Sequence, residues 1–145
     1  MNINFKFFKK KKSLPIDKFF QNVLYDKKMG YYATRQPFGE KGDFITAPKI
    51  SNLFSEIIAI WIITFWKSLD SPKKFNLIEL GAGNGEMMRV ITETLKNFPE
   101  CFDACSFMIH EKSNFLIKQQ KKNLNSGKIL WIKDIKKINS NPTLY

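Results

Sequence analysis

The stretch NLIELGAGNGEMM, Asn76 to Met88, constrains the fold more than any other. An apolar run enters three alternate glycines, Gly81, Gly83 and Gly85, and leaves into a pattern with helical spacing. Glycines so placed permit backbone angles and close approaches that side chains block. The expected unit is a buried strand, a tight turn and a helix with unpaired first amides. The alternation then continues. FNLIEL (Phe75 to Leu80), CSFMIH (Cys105 to His110) and ILWI (Ile129 to Ile132) read as strands. Glu86 to Asn97 and Ser113 to Leu124 read as helices, the second capped by Ser113. TLY, at 143–145, reads as the opening of a fourth strand. Near-continuous apolar strands separated by helices mean an α/β fold, a parallel sheet covered by helices.

Ahead of this lies a helical segment. Asp17 is expected to cap a helix that runs to about Tyr25 with Phe19, Phe20, Val23 and Leu24 on its apolar face. Met29 and Gly30 end it. Tyr31 to Pro48 reads as a loop rich in glycine, proline and aromatics, the kind that carries function in compact domains. A buried helix from about Ile50 to Leu69 follows, broken by Asp70-Ser71-Pro72. Its core, LFSEIIAIWIITFW, has 14 residues and includes Glu56, whereas a spanning helix needs about 20 apolar residues. Residues 1–72 therefore form a helical N-terminal segment and residues 73–145 a sheet domain.

Composition narrows the partners. The formal net charge is +11, but of the 24 basic residues only Arg35 and Arg89 are arginine. Nucleic-acid surfaces draw on the arginine fork, which reads phosphates and guanine edges. Lysine in company with asparagine, isoleucine and phenylalanine reads instead as drift toward AT-rich codons. A basic nucleic-acid-binding module is the lesser alternative, and no nucleic-acid partner is expected. The opening MNINFKFFKKKKSLP has no apolar region after its lysines, so it is not a signal peptide. A solvated terminus is expected there, and the bacterial cytoplasm is the expected location. Cys101 and Cys105 are spaced as neither a redox pair nor a zinc half-site, and no metal site is expected.

The glycine turn has the pattern E-x-G-x-G-x-G. Glu86 stands where a dinucleotide fingerprint requires glycine, and no G-K-[ST] follows. Glu79, two residues before Gly81, is a poor neighbour for pyrophosphate but suits an ammonium or sulfonium group. That points to S-adenosyl-L-methionine. Glu111, just past the second strand, is placed to accept hydrogen bonds from ribose hydroxyls. Asp134, past the third, is placed to meet an adenine amino group. His110, the single histidine, reads as a packed neighbour.

Several blocks together resemble the MidA-type class I methyltransferases. GYYATRQPFGEKGDFITAPKIS (Gly30 to Ser51) is similar to the family hallmark G-Y-Y…P-F-G-x-x-G-D-F-x-T-[AS]-P-E-[IV]-S. FSEIIAIW, IELGAGNGEMM, HEKSNFLIKQQ and ILWIKDI resemble four further family blocks. The resemblance implies a Rossmann-like sheet, here its N-terminal part, and methyl transfer from S-adenosylmethionine. It implies that Glu79, Gly81, Gly83, Gly85, Glu111 and Asp134 line the cofactor site, with Asp43 and Thr46 in a loop near the active centre. In mitochondrial members the acceptor is an arginine of a respiratory complex I subunit.

Departures from the family pattern carry expectations of their own. In the family, Thr46 would cap the helix and a Glu three residues on would reach back; Lys49 stands there. The family's next block, N-E-F-F-D-A-L-P, would follow Tyr145. A chain that stops short of it is expected to lack the substrate-binding half and to leave strand one as an apolar sheet edge. It would then need a second polypeptide, or be a non-catalytic remnant.

Overall fold

The computed structural model describes residues 13–34, 51–124 and 127–145. Asp43, Thr46, Lys49 and the lysine-rich opening lie outside the described residues.

Helix α1 (Ile16–Tyr25) starts at Pro15, with no side-chain cap; Asp17 lies in its first turn rather than at the cap. Proline suits that position because its φ is already near the helical value. No residue of α1 is buried, so the aromatic face expected to pack is half open, with Phe20 51% exposed. The Asp26 carboxylate ends the helix by accepting the amides of Lys28 and Met29. The start of the expected loop is a short helix, α2 (Tyr31–Thr34).

Helix α3 (Asn52–Ser68) begins two residues later than expected and is capped by Ser51, whose Oγ accepts the Leu53 amide. Asp70 and Ser71, both at positive φ, turn the chain out of it. Only one stripe of α3 is buried: Ser55, Ala59, Ile62, Ile63 and Trp66. Leu53, Phe54, Ile57, Ile60 and Trp61 face outward, which corrects the expectation of a wholly buried helix.

The strands fall where the apolar runs place them. β1 (Phe75–Leu80), β2 (Cys105–His110), β3 (Ile129–Ile132) and β4 (Thr143–Leu144) form one sheet of order β3-β2-β1-β4, all neighbours parallel. β4 pairs with Asn76 and Leu77. Over those residues β1 is therefore interior, not the edge expected for it, although Leu80 beyond them is 52% exposed. Asn76, fully buried, ties the pair together through hydrogen bonds from its Nδ2 to Asn139 Oδ1 and Thr143 Oγ1.

Between the strands run α4 (Glu86–Leu95), α5 (Pro99–Ala104) and α6 (Asn114–Asn123), with a 3-10 turn at Ile135–Lys137. The short α5, started by Pro99, interrupts a stretch that periodicity left unassigned. Side chains alternate across a strand, and the core follows that rule. Phe75, Leu77, Phe107, Ile109 and Ile129 cluster with the buried stripe of α3 and with Met88, Ile91 and Leu95 of α4. On the opposite face Leu130 is 57% exposed. Cys101 and Cys105 are buried free thiols.

Candidate functional site

The glycine turn leaves β1 with its backbone already committed. Gly81 N–H donates to His110 O at 2.9 Å, which pins the turn to the end of β2. Gly81, Gly83 and Gly85 have φ of 72°, 54° and 86°, the left-handed region. Gly85 is the N-cap of α4. A side chain there would be strained, and its Cβ would lie 2.9 Å from Leu124 Cδ1. A Cβ at Gly81 would meet nothing within 4 Å. The turn is therefore tight on the side of α6 and open at Gly81.

Glu79 borders that opening. It lines a cavity of about 440 Å³ between β1, α3 and α4, together with Trp61, Gly81 and Met88. Its Oε2 is buried and has no hydrogen-bond partner among the described residues. Burial lifts its pKa to about 7; the Met88 backbone amide opposes the shift, and Glu111 adds to it. That amide lies in the first turn of α4, where unpaired N–H groups and the helix dipole favour negative charge.

Glu111 stands past the end of β2, on a second cavity of about 580 Å³ shared with Tyr25, Lys112 and Lys133. The Ser113 amide donates to its Oε1 at 2.9 Å and Gln120 Nε2 to its Oε2 at 3.3 Å. Ser113 is the cap of α6, as the sequence indicates: its Oγ accepts from the Leu116 amide and also donates to Tyr32 O at 2.5 Å. That last bond seats the N-terminal helices against α6. Tyr25, whose ring lies tilted against Tyr32 and under Lys112, has its pKa raised by burial and then by Glu111.

Glu79, the glycine turn and Glu111 thus meet at the carboxyl ends of β1 and β2. Asp134 lies apart from them. Its Oδ1 accepts the Lys136 amide and starts the 3-10 turn. It lines a third hollow with Met108, Leu130 and Ile132, side chains of the opposite sheet face. His110 is a packed neighbour, its Nδ1 3.1 Å from Ile132 O.

Gln120 falls within the block HEKSNFLIKQQ, but nothing in the sequence gives it a role. It is fully buried and hydrogen-bonded to Gly83, Glu111 and Trp131. The available signal was a polar residue on the same helix stripe as Leu116, four positions earlier, where an apolar side chain is the default.

A family model for S-adenosyl-L-methionine-dependent methyltransferases matches residues 57–145. The chain is 38% identical over 107 residues to the mitochondrial protein arginine methyltransferase NDUFAF7 homologue of Drosophila melanogaster, covering 74% of this chain and 24% of that protein. It is 34% identical over 97 residues to the mitochondrial protein arginine methyltransferase NDUFAF7 of Homo sapiens, covering 67% and 22%. The fold is similar to that of a superfamily protein of Burkholderia thailandensis solved with S-adenosyl-homocysteine bound. The TM-score is 0.69 at 26% identity, over 83% of this chain and 33% of that one. The chain spans about a quarter of the length of the mitochondrial relatives it matches.

Proposed function

The chain belongs to the MidA-type family of class I S-adenosyl-L-methionine-dependent methyltransferases, and on that premise we propose that it binds S-adenosylmethionine across the carboxyl ends of β1 and β2. The observation that carries the reading is the buried, unpartnered Glu79 Oε2 beside an open glycine turn. An orphaned carboxylate oxygen is costly unless a donor or cation meets it. The ammonium group of the ligand's methionine end supplies both. At Gly81 the missing Cβ leaves room for the ligand to approach the backbone.

Glu111 takes the ribose. Each of its oxygens accepts one protein hydrogen bond, and each keeps a lone pair for a hydroxyl. Asp134 lines a hollow of its own, so its assignment to the adenine amino group rests only on its place after the third strand and on the family resemblance. When bound, the cofactor supplies a methyl group activated by its sulfonium. The protein's part is to hold that methyl in line with an acceptor and keep water out.

The mitochondrial relatives are named protein arginine methyltransferases, which supports a guanidinium as acceptor; a respiratory complex I subunit is the candidate protein on the family resemblance alone. Asp43 and Thr46 are the residues proposed to border it. The test is calorimetric titration of the chain with S-adenosylmethionine and S-adenosylhomocysteine. One molecule of each is expected to bind, and Gly83→Asp is expected to abolish binding. A folded chain that takes up neither ligand would sink the reading.

A further inference from the structure

We infer that Gln120 is a positioning residue that holds the glycine turn and the Glu111 carboxylate in one geometry, a role that rests on the cofactor reading above. Gln120 has no solvent exposure. Its Nε2 donates to Gly83 O at 2.9 Å and to Glu111 Oε2 at 3.3 Å. Its Oε1 accepts from Trp131 Nε1 at 2.9 Å. These partners allow one orientation of the amide. The indole N–H can only donate and the Gly83 carbonyl can only accept. A flipped amide would set oxygen against oxygen and N–H against N–H.

The connections are what make this more than a satisfied core amide. Gly83 belongs to the turn after β1, Glu111 to the end of β2 and Trp131 to β3. One side chain on α6 thus references the methionine end of the site to its ribose end. Asn123, one helical turn on, adds a second strap by donating from Nδ2 to Asn84 O at 3.1 Å. Leu124 closes the same side by filling the space a Cβ on Gly85 would need. A turn made of alternate glycines has little conformational restraint of its own. The restraint comes from α6.

The experiment compares the parent chain with Gln120→Met and Gln120→Glu, titrated calorimetrically at pH 8 with S-adenosylhomocysteine and with its 2′-deoxy analogue. Circular dichroism establishes that each variant is folded. Met keeps the length of the side chain and removes every hydrogen bond. Glu keeps the acceptor for Trp131 but turns a carboxylate on Gly83 O and Glu111, so it decides the matter if the Met variant does not fold. Affinity for S-adenosylhomocysteine is expected to fall about tenfold or more in either variant. The parent's preference for the ribose hydroxyl is expected to shrink toward unity, because Glu111 is no longer aimed. A residue that merely supports the fold would lower stability and leave that preference alone. Folded variants with the parent's affinity, or with its hydroxyl preference intact, would overturn the positioning role. A parent chain that binds neither ligand would overturn the cofactor reading instead.

Discussion

Glu79 meets two opposed demands. As a carboxylate beside a glycine turn it suits a cationic ligand, yet without one its charge is disfavoured by burial, which raises its pKa to about 7. The folded chain then keeps a proton that the unfolded chain loses above its ordinary value of 4.5. Stability attributable to this group falls as pH rises from about 4.5 to about 7, and the full penalty persists above that. Glu79→Gln is therefore expected to raise stability at pH 8 by about 2–3 kcal/mol and to change little at pH 4, as urea denaturation at both pH values would read. Ligand binding has the reverse sign. S-adenosylmethionine affinity of the parent is expected to strengthen as pH rises through about 7, while that of Glu79→Gln stays lower and flat. The order of acid, glycines and acid marked Glu79, the glycine turn and Glu111 as candidates. The protonation of Glu79 was not legible there, because it depends on α3 and α4 closing over it.

At the scale of elements, the apolar runs marked all four strands, most plainly β1 and β2, which are buried on both faces over most of their length and so read as continuous hydrophobicity. Caps divided. Ser113 caps α6 as its sequence position implies, since a serine ahead of Leu116 offers the local bond an unpaired amide needs. Pro15, not Asp17, precedes α1, and Ser51 heads α3. Several residues near each start could serve, and packing chose among them. Ser113 also donates to Tyr32 O, a contact 81 residues away in sequence that no local pattern reveals. Ser113→Ala is accordingly expected to cost about 1–2 kcal/mol, the sum of a lost cap and a lost tertiary bond. Guanidinium denaturation gives the total. Hydrogen exchange at 31–34 should quicken with it, and unchanged exchange there would show that the Tyr32 contact does not hold α2.

Across the whole molecule, one face of the sheet is packed and α3 presents an apolar stripe outward. Leu53, Ile57, Ile60 and Trp61 are each about half exposed. An apolar patch of this kind promotes association, even against a net charge of +11. The chain is expected to show concentration-dependent self-association by sedimentation velocity. Ile57→Lys with Ile60→Lys should suppress it while leaving stability within about 0.5 kcal/mol per site. Persistent association in the folded double variant would place the sticky surface elsewhere. Hydropathy alone could not divide α3 into an inner and an outer stripe, because apolar residues occupy nearly its whole circumference and only the partner elements decide which side is covered.

The sequence by itself determined the alternation of strand and helix, the tight turn of three glycines and the family to which the chain belongs, because each is written in local spacing. Tertiary structure alone decided the pairing of β4 along Asn76 and Leu77, the placing of Asp134 on a hollow of its own, and the role of Gln120. Those depend on which atoms face one another across the fold. Gln120 shows the division most clearly. Its identity could be read at once, but its meaning required the Gly83 carbonyl, the Glu111 carboxylate and the Trp131 indole to arrive around it from the turn after β1, from the end of β2 and from β3.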